Sequence, residues 1–246
     1  MSSACCTAWS TSTDMACCMF KRPHHQRIVQ LLRAMDADLL FRAKCYFGGG
    51  TAIALQLGEY RESVDIDFLC SDLDGYRLLR NVITPPTLGA VLLEPVKHVR
   101  DVRTQRDKIS TFLEVDGAPI RVEFVLEARI RIDGALDPTL RVPLLARNDL
   151  YAEKLLANTD RGLDRSQMSR DLIDLAMMIQ HWGPIPQVAW DKATGAYGRA
   201  IGDAFGKTLA LLQDDRHLSA ALKAMSMDAE LGPAILAMLA GVEIPF

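Results

Sequence analysis

Long apolar runs are missing from this chain of 246 residues. No stretch approaches the ~20 residues that span a bilayer, because charges or turn residues interrupt every candidate, the alanine-rich C-terminal end included. No membrane partner is expected. A secretory signal is missing as well: residues 1–19, rich in Ser, Thr, Ala and Cys, lack a basic start and a continuous apolar centre. They read as part of a flexible tail over residues 1–24, with Met15 or Met19 as an alternative start. Zinc-type spacing is absent too. Cys5, Cys6, Cys17 and Cys18 come as adjacent pairs, and Cys45 and Cys70 read as small core side chains in a reducing compartment, so the cytoplasm is the expected location. Nor is there an excess of one charge. A net charge of −3 gives no global drive toward nucleic acid, so any such contact must come from a local patch. The segment from Lys97 and His98 through Arg100, Arg103, Arg106 and Lys108 is the candidate; a solvated loop sharing its charge with Asp101 and Asp107 is the competing reading.

What the chain does have is a 49% hydrophobic content, ample for a sizeable core. From His25 to Ala43, apolar residues recur at helical spacing, predicting an amphipathic helix. Cys45 to Phe47 is a short apolar strand; Gly48-Gly49-Gly50-Thr51 turns it into a helix that Gly58 ends. Ser63 to Leu69 alternates, with Val64, Ile66 and Phe68 on one face and Ser63, Asp65 and Asp67 on the other. Tyr76 to Val82 reads as helical, and a further strand is expected near Val91. Ser110 to Val115 and Ile120 to Leu126 flank Asp116-Gly117, a hairpin signature. Beyond Pro143 the pattern is helical: Asn148 or Asp149 is a candidate cap for one helix, Ser169 for the next, and Asp214-Asp215 and Gly232-Pro233 separate later segments. No repeat recurs at fixed spacing. The expected fold is α+β, with a mixed β-sheet core over residues 25–140 and a helical C-terminal region over 141–246.

The chemistry gathers on the acidic strand. Residues two apart on a strand face the same way, so Asp65 and Asp67 offer two carboxylates to one side, a geometry that suits magnesium shared with substrate phosphates. Gly48, Gly49 and Gly50 remove side chains where a triphosphate would approach the following helix start. A Cβ at Gly49 or Gly50 would then intrude on phosphate, and Thr51 either caps the helix or meets phosphate. Glu123 is in phase to share the polar sheet face. It is either a third metal ligand or proton acceptor, or a surface carboxylate paired with Arg121. Lys154 lies at the edge of the stripe formed by Tyr151, Ala152, Leu155 and Leu156, where it can reach toward phosphate. Asp171, Asp174 and Arg170 cluster on the next helix, and by spacing alone they read as a surface ion pair.

The run Phe47-Gly-Gly-Gly-Thr-Ala-Ile-Ala-Leu-Gln-Leu-Gly, followed by Arg61-Glu-Ser-Val-Asp-Ile-Asp-Phe, resembles the nucleotidyltransferase core of the AbiEii/AbiGii toxin family. Ala152-Glu-Lys-Leu-Leu-Ala and Arg170-Asp-Leu-Ile-Asp-Leu resemble its downstream helices in the expected order. The resemblance implies a nucleotidyltransferase-like fold in a toxin of a toxin–antitoxin or phage-defence pair. It implies that Gly49, Gly50 and Thr51 receive phosphates, that Asp65 and Asp67 bind metal, and that Lys154 and Asp171 complete the site. Thr51 departs from the wider superfamily, in which Ser and a shorter spacer precede Asp-x-Asp.

The expected function is therefore metal-dependent transfer of a nucleoside monophosphate from an NTP to an acceptor, RNA and above all tRNA. Gly48, Gly49, Gly50, Thr51 and Lys154 would bind the nucleotide. Asp65, Asp67 and Glu123 would hold Mg²⁺, or Mn²⁺ in its place, and Lys154 and Asp171 would serve catalysis. A cognate antitoxin is the expected partner, with direct docking left open. The alternatives are a small-molecule or protein nucleotidyltransferase, and a catalytically silent module that binds nucleotide or a partner.

Overall fold

The computed structural model describes residues 19–245. The tail cysteines, with the zinc question they raised, lie outside those residues. Within the rest of the expected tail, Phe20 is buried, and the backbone N–H groups of Lys21 and Arg22 donate to the Glu59 carboxylate at 2.6 and 3.0 Å. The structure therefore holds this stretch ahead of the first helix.

The helical pattern from His25 to Ala43 resolves into two helices, α1 (Pro23–Arg33) and α2 (Ala37–Arg42). The break falls at Asp36, whose carboxylate caps α2 by accepting from Leu39 N at 2.8 Å. Next come β1 (Cys45–Gly48), α3 (Gly49–Gln56), β2 (Asp65–Cys70) and α4 (Leu73–Val82). The acidic strand starts at Asp65 rather than Ser63, leaving Val64 exposed. The strand expected near Val91 is a single 3₁₀ turn, Gly89–Val91. It is the basic segment after it that pairs, as β3 (Lys97–Thr104), overturning the reading as a loop. β4 (Lys108–Val115) and β5 (Ala118–Leu126) form the expected hairpin. Its turn needs the positive φ of Asp116 (49°) and Gly117 (74°).

β6 (Gly134–Leu136) and β7 (Pro143–Leu145) complete a seven-stranded sheet of order β3-β4-β5-β2-β1-β7-β6. β2 runs parallel to β5 and β1 to β7, and the other pairs are antiparallel. The sheet is thus mixed and extends past residue 140. Six helices follow: α5 (Arg147–Arg161), α6 (Arg170–Trp182), α7 (Gln187–Tyr197), α8 (Ala200–Leu212), α9 (Asp215–Ala224) and α10 (Leu231–Ala240). This is the α+β class expected. None of the described helices is long and apolar enough to cross a membrane.

Three expected boundaries differ. Asp149 lies inside α5, buried, where it accepts from Asp133 N at 2.7 Å and pairs with Lys192. Ser169 occupies the cap position of α6 in a left-handed conformation (φ 51°), but its hydroxyl meets His217 Nε2 at 2.9 Å instead of capping. Gly232-Pro233 falls within the first turn of α10, where the missing proline N–H costs no helical bond.

Two apolar cores flank the sheet. Ile66, Phe68, Val122, Phe124 and Ile109 cover one face and pack with Ile28 and Leu32 of α1, and the rings of Phe68 and Phe124 stack at 5.2 Å. Cys45 and Cys70, paired in register across β1 and β2, are buried and unbridged in this core. The second core is built from α5 to α10, joined by Tyr46, Ile53 and Leu57 from the N-terminal half. The sheet face between the two carries the charged residues.

Gly75 in α4 marks a tight helix contact, because a Cβ there would overlap the Ala43 carbonyl, a backbone atom that cannot swing aside. Helix propensity alone gives Gly75→Ala a gain of about 1 kcal/mol. The packing reverses that sign, and a loss of about 1–3 kcal/mol is expected by urea denaturation. Unchanged or raised stability would mean that α4 does not lie against Ala43.

Candidate active site

Alternation along β2 buries Ile66, Phe68 and Cys70 and turns Asp65, Asp67 and Leu69 to the opposite face. Register then sets their neighbours. Asp67 lies between Gly48 of β1 and Glu123 of β5, with Ser110 of β4 beyond, and Asp65 lies beside Arg121, followed by Phe112. Gly49 has φ +69°, and a Cβ built on it would stand 2.7 Å from Asp67 Oδ2. Only glycine lets the start of α3 lie against that carboxylate. Burial, then Asp65, then Glu123 push the Asp67 carboxyl up to about 6, against the opposing pull of Lys154 and Arg121.

The other loop residues take different places from those expected. Gly48 faces Leu69 and Leu145, and a Cβ at Gly50 would overlap the Arg61 guanidinium rather than an open phosphate site. Gly50 makes room for Arg61. Thr51 is buried, its hydroxyl 2.5 Å from the Asp65 carbonyl and 2.8 Å from Ser63 Oγ. That hydroxyl ties α3 to β2 and is not open to phosphate. Glu123 shares the sheet face with Asp67, but its Oε1 is held by Arg121 at 2.6 Å and Lys108 at 3.2 Å.

Opposite the aspartates stands a buried ion network. Lys154 and Arg161 are seven residues apart on α5 and so share one face. Lys154 Nζ lies 2.8 Å from Asp171 and 2.6 Å from Asp174, both on α6, and Arg161 Nε is 2.7 Å from Asp171. Arg61, from the loop before β2, grips both oxygens of Asp174 at 2.6 and 3.0 Å, and the Tyr60 hydroxyl donates to the same carboxylate at 2.6 Å. Lys154 is only 5% exposed. The surface reading of this cluster is thereby overturned, as is the Arg170 pairing. Burial pushes the Asp171 carboxyl up, but Lys154 and Arg161 outweigh it and hold it well below the usual range; Arg61 and Lys154 do the same for Asp174.

A cavity of about 280 Å³ lies between these groups. Gly49, Gly50, Asp67, Glu123 and Lys154 line it, so the fold gathers several expected residues around one space, and Arg161, which was not expected, joins them. Asp65 and Asp171 are set back from its wall. Asp171 acts on the cavity only through Lys154 and Arg161.

Arg129 and Glu153 also line the cavity and were not anticipated. Arg129 binds Glu127 at 2.6 Å, Glu153 at 3.2 Å and Asp160 at 2.7 Å. The other Glu153 oxygen, Oε1, is buried with no hydrogen-bond partner. Burial first, and Glu127 second, push this carboxyl up to about 8. The seven-residue spacing of Lys154 and Arg161 was a readable signal for the latter. Arg61 and Glu153 lie within the motif runs that carry the family resemblance, but no spacing pointed to a role for them, and Arg129 had no signal at all, because only tertiary packing brings it here.

Among the described residues, no group of three or more His, Cys, Asp or Glu is disposed to hold a metal ion. Glu123 is tied to two cations, which leaves Asp65 and Asp67 as the carboxylates that fit one. Magnesium commonly takes one or two protein carboxylates and fills its shell with water and phosphate oxygens, so a pair suffices. Burial and then repulsion from Asp65 raise Asp67, and a divalent cation would relieve the repulsion.

The family described as "Nucleotidyl transferase AbiEii toxin, Type IV TA system" matches residues 30–240. Two Helicobacter pylori crystal structures are also similar. One, described as a nucleotidyltransferase, is 14% identical with a TM-score of 0.49, covering 88% of this chain and 92% of that one. The other, JHP933, is 14% identical with a TM-score of 0.49, covering 90% and 92%. No curated protein matches the chain.

Glu153 gives the site a pH signature. Its carboxyl sits near 8 in the fold against an ordinary value of 4.5, so between those values the folded state keeps a proton that the unfolded state has released. Stability therefore falls as pH rises through this window. Glu153→Gln removes that slope: its melting temperature should exceed wild type above pH 8 and converge on it toward pH 4.5. Parallel profiles for the two proteins would mean that the carboxyl is not held protonated.

Proposed function

The chain belongs to the AbiEii family of nucleotidyl transferase toxins of type IV toxin–antitoxin systems, and from that premise we propose that it transfers a nucleoside monophosphate from an NTP to a terminal hydroxyl of RNA, tRNA above all. The observation that carries this reading is the opposition of two charge sets across one cavity. Asp67 lines one side, with Asp65 set behind it on the same sheet face, and Lys154 and Arg161 stand on the other. A triphosphate bearing a divalent cation is complementary to both.

Asp65 and Asp67 would hold magnesium, or manganese in its place. A bound divalent ion supplies charge neutralisation at the α-phosphate and the leaving pyrophosphate. The oxygen of the acceptor hydroxyl attacks the α-phosphorus and gives up its proton to solvent, the bond from the α-phosphorus to the bridging oxygen of the β-phosphate breaks, and pyrophosphate departs. Lys154 and Arg161 face the charge that accumulates on the leaving group, and because Asp171 and Asp174 fix Lys154, little reorganisation of that cation is needed as the charge develops. Asp171 and Asp174 hold those cations in place and are positioning residues. Gly49 keeps the loop backbone close to Asp67. Family membership implies a cognate antitoxin as partner.

The reaction is tested by incubating the protein with Mg²⁺ and each labelled NTP in total bacterial RNA and protein. Label in RNA is the expected result; label only in protein or small molecules would overturn the acceptor, and no label at all would overturn the activity. Asp65→Asn and Asp67→Asn should each abolish transfer. Because the two carboxylates repel each other in metal-free protein, each change should leave the melting temperature in chelator unchanged or slightly raised. Wild-type turnover in either variant would remove the metal assignment. A sharply lowered melting temperature would instead make the pair structural.

A further inference from the structure

The basic segment that pairs as β3 has a geometry the proposed reaction has not used. Five Lys or Arg residues and two Asp residues fall between Lys97 and Lys108, a local excess of positive charge in a chain of net −3. Residues three apart on a regular strand face opposite ways. Here a register shift lies between Arg100 and Arg103, so that Arg100 pairs with Phe112 and Arg103 with Ser110. The bulge turns both arginines to one face, and Val102 between them is buried in the core on the other side.

That face is the one that bears the aspartates. Register carries one row from Arg103 through Ser110 and Glu123 to Asp67, and a second from Arg100 through Phe112 and Arg121 to Asp65. Arg121 and Lys108 on this face are paired with Glu123, and Lys97 with Glu114. Arg100 and Arg103 are exposed and make no ion pair among the described residues. The Arg100 guanidinium lies 4.8 Å from the centre of the Phe112 ring.

Resting on the transferase reading above, we propose that the outer face of β3–β5 is the docking strip for the single-stranded 3′ end of the RNA acceptor, with Arg100 and Arg103 meeting its phosphates and the Arg100–Phe112 stack presenting a flat surface to a base. Chemistry and distance both favour a single strand. Three strand spacings separate β3 from β2, roughly 14 Å, which a few unpaired nucleotides cross while delivering a terminal hydroxyl to Asp65 and Asp67. Guanidinium planes and aromatic rings receive unstacked bases, which a duplex does not offer. A protein acceptor would find isolated cations here but no apolar groove.

The test is fluorescence anisotropy with full-length protein in chelator, using a short 5′-fluorescein single-stranded oligoribonucleotide of mixed sequence and the same RNA as a blunt duplex. Wild type should prefer the single strand. Arg100→Gln with Arg103→Gln should weaken its binding by roughly tenfold and lower the slope of log affinity against log salt by about 1.4, at ~0.7 for each phosphate no longer neutralised. Arg100→Lys with Arg103→Lys should keep the salt slope and lose part of the affinity, which separates stacking from charge. Binding of a labelled NTP with Mg²⁺ should be unchanged in both variants. RNA affinity within twofold of wild type in the Gln pair, equal or tighter binding of the duplex, or transfer of label to protein that falls in the Gln pair while RNA affinity holds would each overturn the proposal. If the strip governs RNA binding but wild type transfers no nucleotide, the transferase reading fails and the docking surface stands.

Discussion

Asp174 has no exposed surface, and three side chains close on it: Tyr60 and Arg61 from the loop ahead of the acidic strand, and Lys154 from α5. Asp171, one turn earlier on α6, takes Lys154 and Arg161. Neither carboxylate would survive burial uncompensated, and removing one partner from such a set typically costs about 3–5 kcal/mol. The network therefore fixes where α5 and α6 stand relative to the sheet half, since Arg61 belongs to the N-terminal half and the helices to the C-terminal one. Gly50 is part of the same constraint. Its missing Cβ is the space that the Arg61 guanidinium occupies.

Two opposite charge surpluses result. The network sets three cations against two carboxylates and turns Lys154 and Arg161 toward the cavity. Across the cavity, Asp65 and Asp67 are two carboxylates on one strand face, with Glu123 in the next strand already neutralised by Arg121 and Lys108. The two sides cancel only in part: Lys154 and Arg121 pull the Asp67 carboxyl down, but burial, then Asp65 and Glu123, outweigh them and raise it. A ligand carrying both a cation and phosphates answers each surplus at once, which neither a bare metal nor a bare anion does.

Much of this was legible where the signal is local. Period-two alternation placed Asp65 and Asp67 on one face, and Asp116-Gly117 placed the hairpin. Most of the failures share a cause: they depended on a contact distant in sequence. Lys154 reads as a residue at the edge of a stripe, and its burial is decided by α6 and Arg61. Thr51 follows the glycines as a phosphate ligand would, yet the return of β2 takes its hydroxyl. β3 has no apolar alternation over most of its length because it is an exposed edge strand interrupted by a bulge, and composition alone makes such a strand look like a loop. The second helix was hidden because apolar periodicity continues across Asp36, and only the cap reveals the break.

The burial of Lys154 also bears on how the site would act. A lysine that reached phosphate from the surface would lose side-chain freedom and hydration on each encounter with substrate. Here folding has already desolvated the ammonium, and Asp171 and Asp174 fix its direction. Arg161 complements it: with its side chain 41% exposed, it retains freedom to follow a phosphate while Asp171 holds one edge of the guanidinium. One buried and one partly exposed cation thus share a helix face. On the proposed reading, Lys154 would set a field present before substrate arrives, and the exposed side of Arg161 would be left to meet a phosphate.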